Sequence, residues 1–307
     1  MTTMIALVGE QTLPNYLPIL HYQPSDVVLV YTTRTQPHYE RLKVVLQRDV
    51  NVRGLAVHPY DISSITSLLN EELAKLALSA SRTLVFNLTG GTKTMLLAAY
   101  QIAQQRETPI LYLQSEGGQS VIDRYNWQDH QLYHQSQEQI LEHLSLRDVL
   151  DVQLGQGKDA NGKDIWKVGK PETRNDDGFL FEMAIARALD DQKYEVLCGI
   201  HDSKNQVDID VMIRHQNQVG IIEAKTGSKA NGLEGVKQLS TAMGYLKGTY
   251  IKKFLVINDK AKDDQKTVCE LLNIEIVPLT HYQTKMNDLT QEDTAILLTA
   301  IDKIMKV

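Results

Sequence analysis

The chain predicts an α/β protein of two domains. Three observations lead there. Apolar, strand-like runs alternate with runs of helical period through both halves of the sequence. A polar, glycine-rich stretch separates the halves. At 307 residues the chain is longer than a single core usually serves. Hydrophobic residues make up 42% and charged residues 23%, the composition of an ordinary globular chain, and no internal repeat or low-complexity tract interrupts it.

In the first half, "MIALVG" is apolar throughout and reads as a strand, followed by "NYLPILHY" as a short helix. "DVVLVYTT" is a second continuous apolar run, rich in β-branched residues. "PHYERLKVVLQRDV" sets Tyr39, Leu42, Val45 and Leu46 at helical spacing. "RGLAVHPY" is a third strand, and "DISSITSLLNEELAKLALSA" a helix with Asp61 or Ser63 as its N-cap. "TLVFNLT", "TKTMLLAAYQIAQQRE" and "PILYLQS" continue as strand, helix, strand. Strands apolar on both faces, alternating with helices, indicate a parallel sheet covered on both sides, a Rossmann-like arrangement. "GGQSVIDRYNWQDHQLYHQ" then alternates around turn residues, as a hairpin does, and "LSLRDVLDVQLG" is a short helix. "GQGKDANGKDIWKVGKPETRNDDG" has no strand or helix period and reads as linker or exposed loop.

The second half restarts with a helix, "FLFEMAIARALDD", and a strand, "YEVLCGIHD". "VDIDVMIRHQNQVGIIEAKTG" is two strands around a turn, and "LEGVKQLSTAMGYLKG" a helix. "KKFLVIND", "DDQKTVCELLN", "IEIVPL" and "TQEDTAILLTAIDKIM" close the chain as strand, helix, strand, helix. The expected division is a first domain over 1–145, a hinge over 146–172 and a second α/β domain over 173–307.

Several function classes are disfavoured. No apolar run approaches a membrane span, and the start "MTTMIALVGEQTLPNY" lacks the pattern of a signal peptide, so the expected location is the cytoplasm. Cys198 and Cys269 are too few for a disulfide framework or a cysteine-rich metal site. The net charge of −6 divides evenly, −3 in residues 1–150 and −3 in 151–307, so any nucleic-acid contact must be local or assisted by metal ions.

Three pieces of the second half carry chemistry. Glu182 in "FLFEMAIARAL" shares a helix side with Ile185, Ala186 and Leu189. In "VDIDVMI" the apolar residues take one strand face while Asp208 and Asp210 take the other. In "IIEAK", Glu223 and Lys225 share a face. Carboxylates in a half-buried sheet need partners. A hard divalent cation, Mg²⁺ or Mn²⁺, is one, since it accepts a few carboxylates together with water and phosphate. Such an ion would activate water and polarise a phosphodiester, and Lys225 could orient that water or offset phosphate charge. Read separately, Glu182 is an ordinary helix acid, Asp208 and Asp210 a solvated face, and Glu223 with Lys225 a surface pair. Their order, helix Glu, strand Asp, then Glu-x-Lys on the next strand, resembles the PD-(D/E)XK nuclease layout. Gln238 on the following helix is a further polar candidate.

"NLTGGTKTM" joins the fourth strand to its helix. It is not a Walker loop, because Lys93 follows Thr92 where that motif has glycine, and it is not G-x-G-x-x-G. It can still bind an anion: free N–H groups and a helix dipole point to one place, and Gly90 and Gly91 allow close approach. The alternative is a tight turn with Thr92 as cap.

"NLTGGTKTMLLAAY", with "LVGEQTLPNYLPIL" and "VVLVYTT", resembles the CARF sensor domain of CRISPR-associated proteins. Together with "GFLFE", "DIDVMI" and "IIEAKTG", the chain resembles the Card1/Can2 family of cyclic-oligoadenylate-activated nucleases. The fold implied is a Rossmann-like CARF domain followed by a restriction-endonuclease-like PD-(D/E)XK α/β domain. The resemblance implies a homodimer that binds cyclic tetra-adenylate (cA4) and then cleaves DNA, RNA or both with Mg²⁺ or Mn²⁺ in type III CRISPR antiviral defence. It implies ligand contacts from Gln11, Thr12, Asn15, Thr32, Thr33, Thr89, Gly90, Gly91, Thr92 and Lys93, metal binding by Glu182, Asp210 and Glu223, and catalysis by these acids with Lys225. The rival expectations are a CARF sensor acting as a non-catalytic regulator, and one that also degrades its cyclic ligand.

Overall fold

The computed structural model describes residues 1–77, 83–116, 119–141, 143–159, 161–169, 176–204, 206–246 and 251–306. The chain divides into two units, Met1–Leu144 with Asp151–Gln153, and Ser145–Leu150 with Leu154–Val307. Both are α/β, as the sequence predicts.

The first unit is built on strands β1 (Thr2–Leu7), β2 (Asp26–Tyr31), β3 (Asn51–Ala56), β4 (Thr83–Asn87), β5 (Ile110–Glu116), β6 (Gln119–Gln128) and β7 (Gln131–Ile140). Their order in the sheet is β3-β2-β1-β4-β5-β6-β7. The first five are parallel, and the hairpin β6–β7 continues the same sheet antiparallel from β5. Helices α1 (Leu13–Tyr22), α2 (Gln36–Leu46), α3 (Ile62–Ala77) and α4 (Lys93–Gln105) connect the parallel strands. Ile5, Leu7, Val28, Val30 and Phe86 pack with Ile65 and Leu69 of α3 and Met95, Ala98 and Ile102 of α4. Met4, Ala6, Val27 and Leu29, which alternate with that set, are also buried. Both faces are therefore covered, the reason these strands read as unbroken apolar runs. The order reverses direction about β1 and β4, so their carboxyl ends open onto the crevice where sheets of this kind receive ligands.

In the second unit the order is β13-β12-β11-β10-β9-β8. The strands are β8 (Trp166–Lys167), β9 (Glu195–Asp202), β10 (Asp208–His215), β11 (Gln218–Lys225), β12 (Ile251–Ile257) and β13 (Glu275–Pro278). Pairing is antiparallel from β8 to β11 and parallel from β11 to β13. After α5 (Leu146–Leu154), the helices are α6 (Asp177–Asp190), α7 (Glu234–Tyr245), α8 (Asp263–Leu271) and α9 (Gln291–Met305). Phe181, Ile185 and Leu189 of α6 and Leu297 and Ile301 of α9 pack with Val211, Ile213, Ile222, Ala224, Phe254 and Val256 of the strands. The stretch read as periodless contains β8, paired to β9. Two residues are too few to leave a period in the sequence. The boundary expected at residues 172 and 173 lies outside the described residues.

Candidate ligand loop and candidate active site

The loop after β4 is tied to the loop after β1 by one buried amide. Asn87, the last residue of β4, donates from Nδ2 to the Pro14 carbonyl at 2.9 Å and lies 3.4 Å from Asn15 Oδ1. Its Oδ1 accepts from the Thr89 hydroxyl at 2.6 Å and from the Thr89 N–H at 3.2 Å. Thr89 Oγ1 also accepts from the Leu113 N–H at 2.8 Å, which anchors the loop to β5. Asn15 donates to the Leu7 carbonyl at 3.0 Å. The two loops then meet backbone to backbone. A Cβ on Gly90 would stand 2.2 Å from the Leu7 oxygen, and one on Gly9 would stand 3.1 Å from the Gly91 nitrogen. Gly91 has φ of 78°, the left-handed region that favours glycine. Thr92 caps α4, accepting from the Met95 N–H at 3.1 Å while donating to the Pro59 carbonyl at 3.1 Å.

This placement sorts the expected ligand residues. Gly90, Gly91, Thr89, Thr92 and Asn15 come together, but the side chains of Asn15, Thr89 and Thr92 are engaged in holding the loops. Thr32 is buried and caps the turn Thr33–Thr35. Thr12 is fully buried, and its hydroxyl has no hydrogen-bond partner among the described residues. Thr33 and Lys93 are exposed and Gln11 is half-buried, so their side chains remain accessible. Arg34 pairs with Glu10, linking the turn after β2 to the loop after β1. The residue the sequence reading missed is Asn87. Its signal was a lone amide ending an apolar strand, one position from "TGG".

The second site lies where β10 begins and β11 ends. The recorded ladder runs from His215↔Gln218 to Val211↔Ile222. Beyond it, Asp210 Oδ2 accepts the Ala224 N–H at 2.9 Å, so a side chain takes the place of a strand. Lys225 pairs with Glu223 and stands 3.9 Å from Asp210 Oδ2. Asp210 and Glu223 are 5% and 2% exposed. Burial, and then the charge of Asp210, push the Glu223 carboxyl well above the usual carboxylate range, although Lys225 pulls the other way. Burial alone would lower the Lys225 ammonium, but Glu223 and Asp210 outweigh it and raise it. The helix α7 closes over this face at Gly235, where a Cβ would stand 3.3 Å from Lys225 Cγ and 3.4 Å from Glu223 Cγ. One turn on, Gln238 has its amide oxygen sheltered, with no hydrogen-bond partner among the described residues.

Glu182 is buried, as its helix position predicts, but it enters from the other layer. Helix α6 packs on the strand face shown by Val211, Ile222 and Ala224, whereas Glu223 and Lys225 alternate to the α7 face. Among the described residues no three His, Cys, Asp or Glu side chains are grouped to hold a metal ion. Of the three expected acids, Asp210 and Glu223 lie on the α7 face, while Glu182 is carried by a helix that packs on the other. The pair Asp210 and Glu223 suits a hard cation in its donor set, since both donors are carboxylate oxygens.

The family profile of the Card1 CARF domain matches residues 3–148. The structure resembles Can2 from Sulfobacillus thermosulfidooxidans in complex with cyclic tetra-adenylate, with a TM-score of 0.73, 17% identity, and coverage of 98% of this chain and 99% of that one. It resembles protein VC1899 from Vibrio cholerae, with a TM-score of 0.69, 14% identity and coverage of 97% and 98%. It also resembles a type III CRISPR defence DNA nuclease activated by cyclic oligoadenylate, with a TM-score of 0.64 and 16% identity, over 97% of this chain and 51% of that one. At these identities the likeness is one of fold. No curated protein matches the sequence.

Proposed function

We propose, from the match of residues 3–148 to the Card1 CARF domain, that this chain is a cyclic-oligoadenylate-gated, metal-dependent nuclease. The observation that carries the catalytic half of this reading is the buried pair Asp210 and Glu223 with half-buried Lys225 at the open end of β10 and β11. Two carboxylates facing one ammonium in a sheet interior are a costly arrangement for stability alone. The activator is a ring such as cyclic tetra-adenylate, which is bound by the similar Can2. It sits at the Gly90–Lys93 loop, and a two-fold ring fits a homodimer that brings two such loops together.

Asp210 and Glu223 would hold Mg²⁺ or Mn²⁺, which when bound supplies Lewis acidity at the phosphodiester and a more acidic water. Lys225 offsets charge that builds on the phosphate and holds Glu223 in place. Gly235 lets α7 lie against the pair, which narrows access and excludes water around the charges. The loop residues do the sensing. Backbone N–H groups at the start of α4 meet the ring's phosphates, and Lys93 adds a mobile positive charge at the rim. Ligand binding shifts the protein toward the cutting arrangement only by its differential affinity for the two states. We place the reaction in the cytoplasm as part of type III CRISPR antiviral defence. Among the described residues no helix is long and apolar enough to cross a membrane.

The test is cleavage of plasmid DNA and single-stranded RNA with Mn²⁺, with and without cyclic tetra-adenylate, by wild type and by Glu223→Gln. Ligand-dependent cutting by wild type alone is expected. Cutting by Glu223→Gln at the wild-type rate would reject the site. No cutting by wild type under any condition, with the ring still bound, would leave the chain a non-catalytic sensor.

A further inference from the structure

The sheet of the second unit carries a row of side chains that the proposed active site does not use. Lys167 on β8 stands opposite His201 on β9, and His201 stands opposite Asp208 on β10. Residues directly opposite across strands share a face. Asp208 and Asp210 are two apart on β10 and share a face as well. The row therefore begins at the sheet's edge and ends beside Asp210. Strands β8, β9, β10 and β11 are consecutive neighbours, so Lys167 and Lys225 lie about 14 Å apart, three strand spacings.

The details favour an anion along this row. Lys167 is exposed at the sheet edge. Its neighbour Asp164 is shared, 3.6 Å from Lys167 and 3.1 Å from Lys158, so two lysines face one carboxylate and a net positive charge remains. Position 199, between the recorded pairs Ile200↔Ile209 and Cys198↔Val211, is a glycine with φ of 63°. Its carbonyl lies 3.2 Å from His201 Nδ1. A carbonyl only accepts, so Nδ1 carries the proton and Nε2 is the ring atom left for another partner. The ring is thus tethered to Gly199, the β9 residue that stands opposite Asp210 in this register. Asp208, exposed between His201 and the open strand ends, is the carboxylate opposite His201 on the neighbouring strand.

We propose that Lys167 and His201 form a track for the sugar–phosphate backbone of the nucleic-acid substrate, holding phosphates beside the scissile one as the strand crosses the sheet from β8 toward Asp210 and Glu223. This rests on the nuclease reading. It adds residues that bind substrate without taking part in bond cleavage. It also explains how an acidic chain with net charge −6 can engage nucleic acid, since the positive charge is local and leads to the site.

The experiment separates binding from cutting. Full-length Glu223→Gln, with cyclic tetra-adenylate and Mn²⁺, is titrated against fluorescein-labelled single strands of DNA and of RNA while anisotropy is read. Lys167→Ala and His201→Ala are then added singly to that background, with Lys167→Glu as a charge reversal. Each alanine variant is expected to loosen binding about 3-fold to 10-fold, and loss of the Lys167 contact to reduce the slope of log affinity against log salt by about 0.7. Lys167→Glu should weaken binding further. In the cutting-competent chain, Lys167→Ala should raise KM and leave kcat close to wild type. Unchanged affinity and salt slope in all three variants, in a protein that does bind the strands, would overturn the track and leave the nuclease reading intact. A Glu223→Gln chain that binds neither strand, with a wild type that cuts neither, would overturn both.

Discussion

At the end of β4 the chain builds a glycine loop almost without charge, whereas at the open end of β10 and β11 it buries two carboxylates beside an ammonium. In the loop, Asn87, Asn15 and Thr89 satisfy one another and the neighbouring carbonyls, and two glycines let backbone approach backbone. The loop after β4 is fixed by neutral hydrogen bonds, and charge lies at its exposed margin, in Lys93 and in the Arg34–Glu10 pair of the neighbouring loops. At the strand ends, Asp210, Glu223 and Lys225 set their geometry by charge itself. The contrast suits the two tasks. A sensor must bind and release a ring, and neutral donors do that with modest affinity per contact. A site that acts on a phosphodiester must meet charge that develops during reaction, and concentrated charge in a low-dielectric setting does that best.

The sharpest way to break the comparison is to remove charge from the second site. Glu223→Gln keeps the shape and removes a carboxylate, and is expected to cut cleavage about 10³-fold while ring binding at the first unit stays at the wild-type level. Calorimetry with cyclic tetra-adenylate checks the second half of that statement. Equal loss of both would mean that the sites are not separable. Lys225→Met probes the same charges from the other side. It leaves two buried carboxylates facing each other, and should destabilise the second unit by about 3 kcal/mol in chemical denaturation without divalent cation. Mn²⁺ should restore part of that loss, and a denaturation curve indifferent to Mn²⁺ would count against Asp210 and Glu223 as its ligands.

The loop should answer to shape and hydrogen bonding instead. Asn87→Ala removes the donor to Pro14 and the acceptor for Thr89 together, and is expected to cost about 2 kcal/mol of stability in the first unit. It should weaken ring binding more than any surface change nearby. Lys93→Ala is the smaller test. The side chain is exposed and carries no structural load, so stability should hold within about 0.5 kcal/mol. Ring affinity should fall about 10-fold, the effect of one charge-assisted contact. An Asn87→Ala chain that binds the ring normally would show that the loop does not need its tether.

These sites were legible in the sequence to different depths. The alternation of "VDIDVMI" and "IIEAK" placed Asp210, Glu223 and Lys225 correctly, because strand period alone decides which residues share a face. The position of "TGGTK" between strand and helix was equally direct. Asn87 was not found, because its partner at Pro14 is 73 residues away and no local pattern encodes such a contact. Glu182 was correctly read as buried, but a helical period gives the buried side of a helix and not the sheet face it covers. The strand β8 escaped because its two residues are defined by pairing with β9 and not by their own pattern.

The finest test of the comparison is pH. Glu223 is held well above its ordinary value of 4.5 by burial and by Asp210. Below that ordinary value the carboxyl is protonated in both folded and unfolded chains, and it contributes nothing to pH dependence. Between 4.5 and the raised value, the folded chain keeps a proton that the unfolded chain has lost. Each rise in pH there lowers stability, by at most about 1.4 kcal/mol per unit, and the loss is complete once the folded group ionises. The Lys225 shift acts elsewhere, stabilising below its ordinary value of 10.5 and fading as pH rises through the raised one. Metal-free wild type should therefore lose stability as pH climbs out of the carboxylate range, while Glu223→Gln, which has no proton to release there, should show a flatter profile. A divalent cation should flatten the wild-type profile too, since it binds the ionised carboxylate and competes with the proton. The neutral loop has no counterpart to this behaviour, so ring binding by the first unit should be level over the same window. Denaturation curves across that window, with and without Mn²⁺, decide it: identical slopes for wild type and Glu223→Gln would mean that the buried carboxyl does not hold the extra proton assigned to it.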